Sequence, residues 1–182
     1  MHDIAIIGGG PGGYVCAIRA AQNGLSVALV EKGQLGGVCL NRGCIPTKTL
    51  AHTADVMDEA SRAAELGLII PEVRLDFARV MARKDKVVAK LRGGVGLLLR
   101  RRKVDVFSGV GTLAGTRAVE ATAPDGSTAR IEARNIVIAT GSEPIAPRMF
   151  GYDGVNMLTS DDVLKLKELP EEKFTEVGMN GG

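Results

Sequence analysis

The chain has 182 residues, the size of one ordinary domain or slightly more, and 45% of them are hydrophobic, which excludes a disordered low-complexity polymer. Lys and Arg number 23 against 21 Asp and Glu, a formal charge of +2, with two Tyr, four Phe and no Trp. A nucleic-acid surface needs more positive charge and more aromatic stacking than that.

Glycine is the outlier, with 24 residues against a norm of about 7%, and five of them fall between Gly8 and Gly13. The stretch from Ile4 to Ile18 is uncharged, but it holds those five Gly and a Pro. A membrane span needs about 20 mostly apolar residues, and Asp3 stands where an export signal would carry basic residues. The composition therefore reads as a soluble, cytoplasmic protein without membrane association. Three Cys cannot build a secreted disulfide framework, so any pair among them needs a chemical reason.

In chain order, Asp3 to Ile7 is a short apolar run, as for a strand buried on both faces of a parallel sheet. A glycine turn follows, then a helix from Pro11 to Asn23 stopped by Gly24, then a second apolar strand from Leu25 to Val30 closed by Glu31. These make a β-α-β unit. Gly33 to Thr47 reads as a loop rich in Gly and Cys, with helix resuming from Pro46 to Glu65. A further helix is expected over Asp76 to Lys103, weakened by Gly93, Gly94 and Gly96. Val104 to Ala133 reads as a small antiparallel meander, with turns at Gly115-Thr116 and Asp125-Gly126. Asn135 to Ala139 reads as another buried strand. The expected fold is a doubly wound, Rossmann-like α/β domain: a parallel sheet with helices on both faces and the meander inserted before Asn135.

Two motifs carry chemistry. Gly8-Gly9-Gly10-Pro11-Gly12-Gly13 fits G-x-G-x-x-G through Gly8, Gly10 and Gly13. Absent side chains permit a tight turn, a close approach of backbone amides to a pyrophosphate, and close helix–strand packing. The following helix N-terminus favours an anion. Glu31, 23 positions after Gly8, stands where a carboxylate accepts hydrogen bonds from ribose hydroxyls and repels a 2′-phosphate. A glycine pattern alone also fits a generic turn. Here strand, turn, helix, strand and acid agree on dinucleotide binding.

The second motif is Gly36-Gly37-Val38-Cys39-Leu40-Asn41-Arg42-Gly43-Cys44-Ile45-Pro46-Thr47-Lys48. Two Cys five positions apart at the start of a helix suit a redox pair, because a helix N-terminus favours a thiolate. The spacing alone also fits two unrelated buried Cys or half a zinc site. Zinc lacks further ligands, since there is no second Cys pair and the only His are His2 and His52.

Together the two motifs resemble the FAD-dependent pyridine nucleotide–disulfide oxidoreductases, over Asp3 to about Pro170. Leu40, Asn41 and Ile45 resemble the dihydrolipoamide dehydrogenase branch more than the glutathione or mercuric reductases. The resemblance implies that Cys39 is the interchange thiol, forming a mixed disulfide with a lipoamide or lipoyl-protein dithiol. It implies that Cys44 faces the flavin and that Lys48 lies near the flavin's reactive face. FAD would be contacted by Gly8, Gly10, Pro11, Gly12 and Gly13, by Glu31 and Lys32, and by Gly37 and Val38 beside the cysteines. Thr140, Gly141 and Ser142 match the family's A-T-G segment, and Gly111 a backbone position near the adenosine, although an ordinary turn glycine fits Gly111 equally. NAD⁺ would be the final acceptor, and relatives of full length are homodimers.

Other features read as structural. Cys16 is expected to be a packed helix residue, His52 a helix residue rather than a base, and Arg100-Arg101-Arg102-Lys103 a solvated complement to a helix C-terminus. The family's second glycine turn for NAD, its later flavin segment and its interface domain with a His–Glu base find no counterpart in this chain. Residues 1–170 are thus expected to be a truncated FAD-binding domain, and 171–182 a tail of unclear origin. Lipoamide-linked NAD⁺ reduction by the chain alone is not expected. The alternatives are a non-catalytic FAD- or ADP-binding module, or the FAD domain of another disulfide reductase.

Overall fold

The computed structural model describes residues 1–145, 149, 151–170 and the backbone of 175–176. It divides into two compact units, Met1–Asn41 with Lys90–Ser142, and Arg42–Ala89 with the residues from Glu143 onward.

The first unit starts with strand β1 (His2–Ile7), helix α1 (Pro11–Gln22) and strand β2 (Val27–Glu31). Helix α2 (Gly37–Arg42) follows, and after the second unit's excursion come strands β3 (Asp105–Ser108), β4 (Val110–Leu113), β5 (Ala118–Thr122) and β6 (Thr128–Ile138). The six-stranded sheet runs β3-β2-β1-β6-β5-β4. β3, β2, β1 and β6 are parallel, while β5 pairs antiparallel with both β4 and β6. This is the Rossmann-like α/β architecture expected from the β-α-β unit.

Strands β1 and β2 bury both faces. Ile6, Val27 and Leu29 point to one, and α1 seats there, with Gly13 against the Ile6 side chain. On the other, Ala5, Ile7, Ala28 and Val30 form a cluster with Val119, Ala121, Ile131 and Ala133. That second face is therefore covered by the meander folded back on the sheet, where a helix had been expected. The period of 2 within each strand dictates this grouping.

Other expectations are corrected too. The segment expected to be one loop from Gly33 to Thr47 contains α2, and the next helix opens earlier, at Cys44. Glycine content masked these turns, since Gly lowers helix propensity but local packing overrides it. The meander is only β4–β5–β6, because Asp105–Ser108 joins the parallel sheet beside β2. Asn135 to Ala139 is no separate buried strand. It is the second half of the 11-residue β6, and Ile138 is 63% exposed. The expected C-terminal tail lies outside the described residues apart from 175–176.

The second unit carries helix α3 (Cys44–Ser61), a 3-10 turn (Ala63–Leu66) and the first part of helix α4 (Phe77–Arg101). It also holds strand β7 (Met157–Leu158), helix α5 (Ser160–Val163) and strand β8 (Thr175–Glu176), with β7 parallel to β8. Gly93, Gly94 and Gly96 do not interrupt α4. Helix α5 is short, but the Asp162 carboxylate ties down its start: the Thr159 N–H and hydroxyl donate to Asp162 Oδ2 at 2.9 and 2.7 Å. The Lys84 ammonium, buried on α4, donates to the Leu164 carbonyl just past its other end, at 2.6 Å.

The approach to α5 has a pH signature. Asp153 accepts the backbone N–H groups of Met157 and Val155 and the side chain of Asn156, and these bonds hold its carboxyl far below the ordinary carboxylate range. Hydrogen bonds from Thr159 lower Asp162 likewise. A carboxyl lowered by folding stabilises fully above its unfolded value near 4, and loses that contribution as pH falls through the lowered folded value. On acidification from pH 6 to 2, the Val155 and Met157 amide resonances should hold through pH 4 and shift only well below it. A midpoint at the ordinary Asp value would show that these bonds are absent in solution.

Candidate functional site

The sheet order reverses at β1: the chain leaves it outward through β2 and β3 on one side, while β6 lies on the other. Crevices beyond the carboxyl ends of strands at such a switch point are where open α/β sheets bind ligands. The glycine turn sits there. Gly8 has φ +107°, and a Cβ on it would stand 2.1 Å from the Ala139 carbonyl oxygen at the end of β6. A Cβ on Gly13 would stand 1.7 Å from the Gly8 carbonyl oxygen, so α1 can start so close to the strand only with hydrogen there. Gly10 is the N-cap of α1 and Pro11 its first residue, and no side chain caps the helix. Its N-terminal amides, with Gly12 exposed, present the positive helix end to the crevice.

Glu31 ends β2 beside this turn. Its Oε2 accepts the Gly9 N–H at 2.6 Å and its Oε1 accepts the Gly33 N–H at 2.7 Å. The carboxylate is thus fixed in place at the lip of a cleft of about 210 Å³. Gly8, Glu31, Lys32 and Thr140 form its walls, and Gly111 lies against Ile7 and Val30. A Cβ on Gly111 would stand 3.0 Å from Ile7 Cγ2 and 3.2 Å from Val30 Cγ1. This glycine lies within β4 and marks a close approach between layers, which replaces the turn-glycine reading. Gly141 (φ +73°) and the exposed Ser142 continue from Thr140 without lining the cleft. At this size the cleft admits one end of an elongated ligand, since whole drug-sized sites run to ~300–1,000 Å³.

Gly37 packs on the turn from the other side. Its φ is +59°, and a Cβ on it would stand 2.6 Å from Gly10 Cα. Val38 and Cys39 follow on α2, both half-buried. Asn41 ties this segment down, its Nδ2 donating to the Leu35 and Gly37 carbonyls at 3.0 and 2.9 Å.

The second unit places Cys44 and Lys48. Cys44 is the first residue of α3 and is exposed, and Lys48, four residues on, shares its helix face. Fully buried Pro46 fixes the first turn, where its missing N–H costs nothing. The Thr49 hydroxyl donates to the Ile45 carbonyl at 2.8 Å. Between the cysteines, Arg42 Nη1 donates to Asp161 Oδ2 of α5 at 2.5 Å, and the Asp161 side chain is only 11% exposed. Among the described residues no cluster of His, Cys, Asp or Glu could hold a metal ion, and no helix is long and apolar enough to cross a membrane.

The structure thus gathers the glycine turn, Glu31, Lys32, Gly111 and Thr140 about one cleft, sets Gly37 against the turn, and puts Cys44 and Lys48 on one helix face. Sequence reasoning missed Gly109, whose Cβ would meet the Thr122 carbonyl at 2.3 Å and which lines the same cleft. It also gave no part to Asn41 in holding the loop, or to the Arg42–Asp161 pair. The first was readable in the repeated glycines of Gly109-Val-Gly111; the pair joins residues 119 positions apart and left no local signal.

Residues 2–179 match the pyridine nucleotide-disulphide oxidoreductase family. The chain is 45% identical over 178 residues to a dihydrolipoyl dehydrogenase of Chlorobaculum parvum, covering 98% of this chain and 38% of that protein. A dihydrolipoyl dehydrogenase of Bacillus subtilis is 43% identical, with 93% and 38% covered. Among solved structures, LpdA from Mycobacterium tuberculosis superposes with a TM-score of 0.85 at 29% identity, covering 92% of this chain and 38% of that one. The HOCl-induced flavoprotein disulfide reductase RclA from Escherichia coli, in its Cu(II) complex, gives 0.74 at 30% identity, with 93% and 35% covered. The chain spans less than two-fifths of the length of these relatives.

Proposed function

Since this chain belongs to the pyridine nucleotide-disulphide oxidoreductase family, we propose that it is the FAD-binding, disulfide-bearing part of a dihydrolipoyl dehydrogenase. The observation that carries this reading is Glu31, held at the lip of a cleft that Gly8 and Gly111 keep open by having no side chains. That combination fits the adenosine end of FAD, with the pyrophosphate on the turn and the N-terminus of α1.

When bound, FAD supplies a two-electron acceptor. The chain's own residues do the remaining work. The thiolate of a dihydrolipoyl dithiol attacks Cys39 Sγ of the Cys39–Cys44 disulfide. The S–S bond breaks, and Cys44 leaves as a thiolate at the positive end of α3. The substrate's second sulfur then displaces Cys39, releasing the oxidised lipoyl ring and leaving two electrons on the cysteine pair. Lys48, on the face of α3 that carries Cys44, would supply a positive charge favouring electron density on a bound flavin. NAD⁺ is the final acceptor in this reading, and the dithiol substrate is lipoamide or a lipoyl protein.

Titration of the purified chain with FAD, followed by addition of dihydrolipoamide, tests it: flavin bands should appear on the protein and then bleach. A protein that takes up no flavin overturns the proposal, and one that holds flavin but never bleaches is a binding module only. Glu31→Ala should weaken FAD by about 1.5–3 kcal/mol, the worth of hydrogen bonds to a charged group, a shift of tenfold or more in Kd by flavin fluorescence. Superimposable titrations would remove Glu31 from the site.

A further inference from the structure

The Arg42–Asp161 pair has no part in the chemistry above, yet it is built into the redox segment. Arg42 is the last residue of α2, three positions after Cys39 and two before Cys44. Successive Cα atoms are 3.8 Å apart, so its Cα lies within about 7.6 Å of that of Cys44. Its partner is anchored. Asp161 is buried in α5, a helix closed at its start by the Thr159–Asp162 cap and held past its end by Lys84 on the Leu164 carbonyl. A cation carried by the segment that joins the two cysteines acts on their redox equilibrium, because the reduced state carries thiolate charge that the disulfide does not.

We propose that Asp161 sets the redox poise of Cys39–Cys44 by neutralising Arg42, and so acts as a positioning residue through that ion pair. The inference rests on the disulfide assignment made above. With Asp161 in place the pair adds little net charge to the segment that carries the cysteines. Without its carboxylate, Arg42 stands as an uncompensated cation that favours the dithiol form. Without Arg42, the buried carboxylate stands alone and disfavours it.

The exchange to be measured is Cys39–Cys44 disulfide plus two glutathione giving the dithiol plus glutathione disulfide. One S–S bond breaks, another forms, and two electrons pass to the cysteines. The purified 182-residue chain is equilibrated over a series of glutathione ratios, quenched by alkylation, and read by peptide mass spectrometry that separates Cys16 from the pair. Asp161→Asn should shift the equilibrium about tenfold toward the dithiol, which for a two-electron couple is about 30 mV. Arg42→Gln should shift it in the opposite direction, and Arg42→Lys, which keeps the charge, should stay within about twofold of the wild type.

Loosening of the segment would move Asp161→Asn and Arg42→Gln the same way. Same-sign shifts, or none, overturn the inference. If circular dichroism shows that Asp161→Asn does not fold, the two Arg42 variants decide: a shift in Gln absent in Lys supports the charge, and equal behaviour overturns it. A wild type that forms no Cys39–Cys44 disulfide at any ratio would instead refute the disulfide assignment itself.

Discussion

Gly13→Ala is expected to lose a large part of the stability of the first unit, together with any ligand held at its turn. The added methyl would lie 1.7 Å from the Gly8 carbonyl oxygen. That carbonyl cannot retreat. The Gly8 N–H is bonded to the Val30 carbonyl at 2.8 Å, and Gly8 itself is wedged against Ala139. The helix must move instead, lifting buried Ala17 and Ala20 from the sheet. Overpacking of this kind costs about 3 kcal/mol at its upper range, a large part of the ~5–15 kcal/mol that a domain possesses. Urea unfolding should show a midpoint reduced accordingly, and flavin uptake should vanish. Gly93→Ala is the control. It lies within α4 with open space around it, and Ala there should gain about 1 kcal/mol of helix propensity. Equal midpoints for wild type and Gly13→Ala would mean that the turn yields more easily than its hydrogen bonds allow.

The second large effect concerns Cys44→Ser in the flavin-loaded chain. In the proposed function the dithiol would then find no disulfide at Cys39, and the cysteine pair could not take up its two electrons. Members of a catalytic unit fail together, and the rate of flavin bleaching by dihydrolipoamide should fall by at least ~10³-fold while FAD affinity stays near that of the wild type. Cys39→Ser should do the same through the other half of the bond. Bleaching at the wild-type rate in either variant would show that electrons reach the flavin without the cysteine pair.

How much was readable beforehand follows from the range of each interaction. His2–Glu31 announced itself because every signal in it is local: apolar runs for β1 and β2, glycines for the turn, Gly24 for the stop. The glycine turn and the place of Glu31 beside it were legible for the same reason, and the spacing of the two cysteines is what their proposed redox role rests on. The segment from Gly33 to Thr47 was misjudged because glycine reads as loop. Gly36 and Gly37 do adopt positive φ, but only to let α2 begin beside Gly10. The assignment of Asp105–Ser108 to the parallel sheet, and the folding of the meander onto the Ala5 and Ile7 face, depend on contacts across roughly 75 to 125 residues. No local pattern encodes those. The Arg42–Asp161 pair was invisible for the same reason, although both residues stood in plain view.

β6 answers to two neighbours at once. Its first half is in register with β5, Ile131 opposite Val119, and its second half with β1, Ile136 opposite Ala5. Because side chains alternate strictly, gain or loss of one residue within 128–132 turns every later side chain to the wrong face, and so miswrites the pairing with β1 as well as that with β5. Length variation should therefore be barred from this strand and left to the hairpin ends at Gly115 and Gly126, where added atoms meet nothing. The meander is consequently no detachable ornament on a dinucleotide fold: it can be redecorated at its tips, but transplanting or trimming it means rewriting the central sheet.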